Sequence, residues 1–146
     1  MADVTIDLDI NASATDVFNY ISDYTKCSSY IYGLQHLQPL TELTRGKGAK
    51  FEGRVKMGAS LESCVEVTEF EEGVHYATQS FKGVKNGMDW TVSPVDDGNA
   101  KVRLIWTFDF GSGIAGRTIG KLVEPFIKIA AKQSAEDLKN GIEAGA

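Results

Sequence analysis

Six residues late in the chain, Gly111-Ser112-Gly113-Ile114-Ala115-Gly116, have the G-x-G-x-x-G spacing of a dinucleotide-binding turn. Carried on to Thr118 they also approach the G-x-x-x-x-G-K-T phosphate loop, with Arg117 where the lysine belongs. In both motifs the glycines let backbone N–H groups crowd round a phosphate at a helix mouth. Both also require a parallel sheet, in which the helix leads to a further strand. Here about thirty residues follow and none reads as a strand. The segments before the motif are joined by turns too short for a parallel return. The glycines therefore read as a sharp exit from a last strand into a helix laid across the sheet.

Nucleophilic and general acid–base patterns are equally sparse. His36 and His75 stand far apart, and neither G-x-S-x-G nor H-E-x-x-H occurs. Arg54, Asp89 and Asp109 fall on the outward side of their strands by alternation. Tyr76, Glu69 and Tyr20 are the polar candidates for moving a proton inside the fold. Cys27 and Cys64 form no C-x-x-C pair and no cluster with histidine, which predicts two free thiols and no metal site. No catalytic residue, cofactor or metal is assigned.

The elements that must position any site are those of an ordinary globular chain. It has 146 residues, 42% hydrophobic and 24% charged, and these fractions exclude a disordered chain. That length fits one domain over residues 1–146 and needs no disulfide or metal for stability. A net charge of -5 with interspersed signs argues against nucleic acid and against an anionic membrane surface. No apolar run reaches about 18 residues, so no transmembrane segment is expected. MADVTIDLDI has neither a basic stretch nor an apolar one, which predicts a cytoplasmic protein without a signal peptide.

Residues 3–10 alternate strictly and predict a half-buried strand. Ser13 stands three before Asp16 as a helix cap, and the helix runs to about Asp23, with a second short helix over 25–32. Six strands are expected at 39–45, 50–57, 61–70, 74–82, 87–95 and 100–110, all antiparallel. Residues 116–142 carry a helical apolar stripe of Ile119, Leu122, Val123, Phe126, Ile127, Ala130, Leu138 and Ile142, with a kink or break at Pro125. The fold class is α+β, in the order β-α-α-β6-α.

Such a sheet presents Phe51, Val55, Val65, Met88, Trp90, Leu104, Trp106 and Phe108 to the long helix. The facing helix turns are small: Ala130, Ala131, Ser134 and Ala135. Gly53, Ser63, Tyr76, Thr78 and Ser80 add small or polar positions to the inward side. Polar groups cost about 1–3 kcal/mol when buried unpaired, so they suit water or a ligand better than a dry core. A hydrophobic small-molecule site between sheet and helix follows, lined by Phe51, Val55, Val65, Tyr76, Met88, Trp90, Leu104, Trp106, Phe108, Phe126 and Ala130.

The element order, the opening VTIDLDINASATDVFNYISD, the strand VRLIWTFDF and the proline-containing last helix resemble the START/polyketide cyclase-like superfamily with its helix-grip (Bet v 1-like) fold. The best local match runs from Ile10-Asn11-Ala12-Ser13 through Val17-Phe18 to Ile21 and Asp23. The resemblance implies a seven-stranded curved sheet round the C-terminal helix and a cavity for lipids, polyketides or other apolar molecules. A minority of such proteins are cofactor-free aromatase/cyclases. After Asp23, where many relatives have an aromatic-proline stretch, this chain has YTKCSSYIYGLQ. The expected activity is carriage of a lipid- or polyketide-like ligand by a monomer or homodimer. The alternatives are a polyketide cyclase or dehydratase, and a domain that works through a protein partner.

Overall fold

A computed structural model describes residues 2–145. Strand β1 (Ala2–Ile10) leads into helix α1 (Ala14–Ser22), whose cap is Ser13: its hydroxyl accepts the Asp16 N–H at 3.1 Å. Asp23 ends α1 and caps the next element, a 3-10 helix over Tyr24–Ser29, by accepting the Thr25 N–H at 3.0 Å. Strands β2 (Leu34–Pro39), β3 (Lys50–Met57), β4 (Ala59–Glu71), β5 (His75–Gly83), β6 (Lys85–Asp96) and β7 (Asn99–Asp109) follow. Helix α2 (Ile114–Gly145) closes the chain. The seven strands form one antiparallel sheet in the order β1-β7-β6-β5-β4-β3-β2, so the first strand pairs with the last, Ile6 opposite Leu104.

Strict alternation explains β3, β6 and β7, whose inward rows include Phe51, Met57, Trp90, Val92, Val102, Leu104, Trp106 and Phe108, all buried. Three elements depart from expectation. The strand expected at 39–45 lies instead at Leu34–Pro39, with Pro39 as its last residue, a place where a missing N–H is tolerated. A register shift between Leu34 and His36 breaks the two-residue period there, so LQHLQP does not look like a strand. A second shift, between Val67 and Glu69, turns β4 over. Phe70 takes the inner face, edge-on to Phe18 at 5.4 Å, and Glu69 is left exposed, which removes it as an interior proton carrier.

Helix α2 runs unbroken through Pro125. Pro125 and Lys121, four residues earlier, both face solvent, so water can take the carbonyl that the proline leaves free. Leu122 is also outside the core, 51% exposed; the buried row is Val123, Ile127, Ala130, Ala131, Ser134, Ala135, Leu138 and Ile142. The helix end is tied to the end of β1: Glu143 accepts the Asn11 N–H at 2.9 Å, and Lys139 donates to the Asp9 carbonyl.

The glycine motif proves to be a corner. Gly111 has φ +84, and a Cβ on Gly116 would stand 2.1 Å from the Phe110 carbonyl oxygen, whereas one on Gly113 would meet nothing within 4 Å. The first turn of α2 thus presses on the end of β7, and only hydrogen fits at Gly116. Gly116→Ala should therefore cost about 1–3 kcal/mol in urea unfolding. Gly113→Ala, inside the same motif, should leave stability within about 0.5 kcal/mol.

Candidate functional site

The interior holds a cavity of about 110 Å³. Strands β3 to β7 form its floor through Phe51, Val55, Leu61, Val65, Tyr76, Met88, Trp90 and Trp106, together with the small or polar Gly53, Ser63 and Thr78. Its roof is residues 21–37: Ile21, Tyr24, Cys27, Tyr30, Ile31, Leu34 and Leu37. No lining residue comes from α2. Larger grooves lie on the outer face of the sheet, one of about 500 Å³ beside Asp7, Lys101 and Arg103, but they are walled by charged, solvated side chains.

The roof explains why the long helix does not face the hollow. Its small side chains leave room between helix and sheet, and the chain's own 30–32 segment fills it. Ser134 accepts the Tyr32 N–H at 2.9 Å, and the Tyr30 side chain is only 3% exposed, edge-on to Trp90 at 6.1 Å. Between this segment, the sheet and α2 only about 10 Å³ remains, lined by Leu104, Ser134, Ala135 and Leu138 among others.

Seven of the residues read from sequence therefore gather round one cavity: Phe51, Val55, Val65, Tyr76, Met88, Trp90 and Trp106. Leu104 borders the small remnant instead. Phe108 packs between Trp106 at 5.0 Å and Phe110 at 6.0 Å, away from the cavity. Phe126 sits against the β3–β4 turn at Gly58, and Ala130 is sealed under α2. The residues that sequence reading missed are those of the roof, whose apolar positions follow neither a helical nor a strand period. The only local signal was the unusual stretch YTKCSSYIYGLQ itself.

Polar atoms inside the cavity are few and uncharged. Cys27 Sγ lies 3.7 Å from the Tyr30 hydroxyl, which donates to the Ile21 carbonyl at 3.4 Å. Burial pushes the Cys27 thiol up to about 11, against a weaker downward pull from the Tyr30 hydroxyl. Burial also raises the Tyr30 phenol well above its ordinary range, with the Cys27 charge adding to it. Tyr76 is raised by burial and by Cys27, with Arg45 pulling the other way. That arginine stays outside as a clamp on the β2–β3 loop. Its guanidinium lies over Phe70 at 4.9 Å and donates to both Glu72 oxygens, at 2.9 and 2.7 Å, to Asn19 Oδ1 and to Ser22 Oγ.

The remaining candidates for chemistry lie elsewhere. Tyr20 shares a hydrogen bond with Ser29 at 2.8 Å and abuts Gly141 of α2, not the cavity. His75 is bonded to Asp89 at 2.9 Å, and His36 is 3.9 Å from Glu52. Arg54 is 3.6 Å from Glu62, and Asp109 accepts the Gly111 N–H at the corner. No group of three or more His, Cys, Asp or Glu side chains among the described residues could hold a metal ion. No helix among them is long and apolar enough to cross a membrane.

A protein-family model described as polyketide cyclase / dehydrase and lipid transport matches residues 1–143. No curated protein matches the chain's sequence. Among solved structures, the fold resembles TTHA0849 from Thermus thermophilus, with a TM-score of 0.81, 17% identity and 99% of both chains covered. It also resembles the Zhui aromatase/cyclase from Streptomyces sp. R1128, at 0.80 and 13%, covering 97% of this chain and 93% of that one. Norcoclaurine synthase from Thalictrum flavum, solved with dopamine and hydroxybenzaldehyde, follows at 0.69 and 14%, covering 99% and 88%. At such identities the likeness is one of fold: the helix grip, a seven-stranded sheet round a long last helix.

Two measurements test the roof. Ser134→Ala leaves the Tyr32 amide without its acceptor and should cost roughly 1–3 kcal/mol in urea unfolding, with faster hydrogen exchange at Tyr32. Cys27 gives a pH signature. Its folded value, about 11, lies above the ordinary 9.0, so the folded chain keeps a proton that the unfolded chain has lost. Stability should fall as pH rises through that window. The decline should be shallower in Cys27→Ser, whose hydroxyl does not titrate there; equal slopes would contradict the burial of the thiol.

Proposed function

This chain belongs to the polyketide cyclase / dehydrase and lipid transport family, and we propose that its 146 residues act as one domain that binds a hydrophobic small molecule. The observation that carries this reading is the cavity under residues 21–37, bounded by apolar and uncharged side chains and left unfilled by the protein. Small-molecule sites have this composition, a mostly apolar wall with a few polar groups to orient the ligand. At about 110 Å³ the space suits a ligand of about one ring. The two free thiols, Cys27 and Cys64, suit a reducing compartment such as the cytoplasm.

Ring closure of a polyketide-like chain is the second reading. The family description and the presence of Tyr76 in the cavity wall favour it. Binding without turnover has the stronger support, because Cys27, Tyr30 and Tyr76 all hold their protons at neutral pH and none acts there as a base.

Toluene, a single apolar ring, is the direct probe. Saturable binding should shift the NMR signals of Val65, Met88 and Leu61 and leave those of the outer face unmoved. Val65→Trp, which fills the space, should weaken that binding at least about tenfold with the circular dichroism of the fold retained. Uptake that ignores the substitution would put apolar binding somewhere other than this cavity.

A further inference from the structure

The two tryptophans carry an unmet need. Trp90 is 3% exposed and Trp106 4% exposed, and an indole N–H can only donate. Buried tryptophans usually find an acceptor. Neither of these has one among the described residues, although no buried side-chain nitrogen or oxygen there is both sealed off and unpartnered. The indole nitrogens must therefore border open space, and the cavity is the space that both rings line. The smaller hollow beside Trp90 exposes no polar atom.

Sheet register gathers these donors. Tyr76 of β5 is paired with Trp90 of β6, and Trp106 of β7 is paired with Met88, two residues before Trp90. The three side chains thus run diagonally across adjacent strands on one face, within side-chain reach of each other. The Tyr76 hydroxyl has no partner among the described residues either, and its raised proton affinity keeps it a donor. Ser63, by contrast, already accepts from Asn86 Nδ2 at 3.0 Å. Among the described residues no Lys, Arg, His, Asp or Glu lines the cavity, so a charge brought into it would be stripped of water without a counter-charge.

We propose that the cavity selects neutral single-ring ligands bearing an acceptor oxygen, such as a ketone or aldehyde, held by the Trp90 and Trp106 indole N–H groups and the Tyr76 hydroxyl. The inference rests on the apolar-binding reading above and narrows its ligand class. A pure hydrocarbon leaves the donors unpaired, and a fatty acid brings a carboxylate with no cation to meet it.

The chain contains two tryptophans and both line this cavity, so the nitrogen-15-labelled protein reports on it through two assignable indole N–H signals. Titration with acetophenone, with α-methylstyrene (the same shape, with CH2 for oxygen) and with benzoate tests the proposal on the unmodified chain. Acetophenone should bind at least about fivefold tighter than the alkene and move an indole proton downfield, with benzoate the weakest. Equal affinity of ketone and alkene overturns the proposal and leaves the apolar-binding reading standing. A ketone preference with both indole protons unmoved overturns it too, as does tightest binding of benzoate. If none of the three binds and toluene does not bind either, both readings fall.

Discussion

The wedge of residues 30–32 beneath α2 is the constraint on which the interior depends. A long helix with Ala130, Ala131, Ser134 and Ala135 on its buried face cannot fill the depth between itself and a curled sheet. Something must occupy that depth, because a void forfeits dispersion contacts on one side. The Tyr30–Tyr32 backbone does so, and the Ser134 hydroxyl meets the part-buried Tyr32 amide that would otherwise be left without that partner. Once the segment is seated, Tyr30 stands against Trp90 and the roof of the cavity follows from it. The hollow is thus displaced toward β2–β5, away from the helix that defines the fold.

A second consequence is electrostatic. Charges sit round the rim or on the outer face, where water screens them, and the inside is left to indoles, phenols and a thiol. Arg45 shows the division most clearly. It lies across Phe70 and Phe18, whose other sides pack in the core, yet its guanidinium is neutralised by Glu72 at the surface. The clamp closes one end of the sheet without placing a cation in the cavity. What remains inside is a short set of neutral donors, and their low cost of burial depends on meeting an acceptor.

Much of this architecture is legible in the residues. The alternation of Phe51, Val55 and Met57, of Met88 and Trp90, and of Leu104, Trp106 and Phe108 places cavity residues and their neighbours on one face without any coordinates. A period of two is a backbone property that no tertiary contact can override without a bulge. At two of the register shifts, Leu34/His36 and Val67/Glu69, periodicity misleads, by a strand in one case and by a face in the other. The glycines at 111–116 belong to a corner because sheet topology excludes a phosphate loop, and the close approach at Gly116 shows the reason for the last of them.

Sequence alone settled the secondary-structure order, the antiparallel sheet and most of the apolar inward face, because these follow from local periodicity and from connections too short for any other pairing; the removal of Glu69 from that face came only with the bulge in β4. Only the tertiary structure decided where the hollow lies and what roofs it. The roof residues, from Ile21 to Leu37, come from an irregular stretch whose side chains acquire a common direction only when α2 and the sheet close on it from both sides. No local pattern can encode a surface made by packing between elements about a hundred residues apart in the chain, as Tyr32 and Ser134 are.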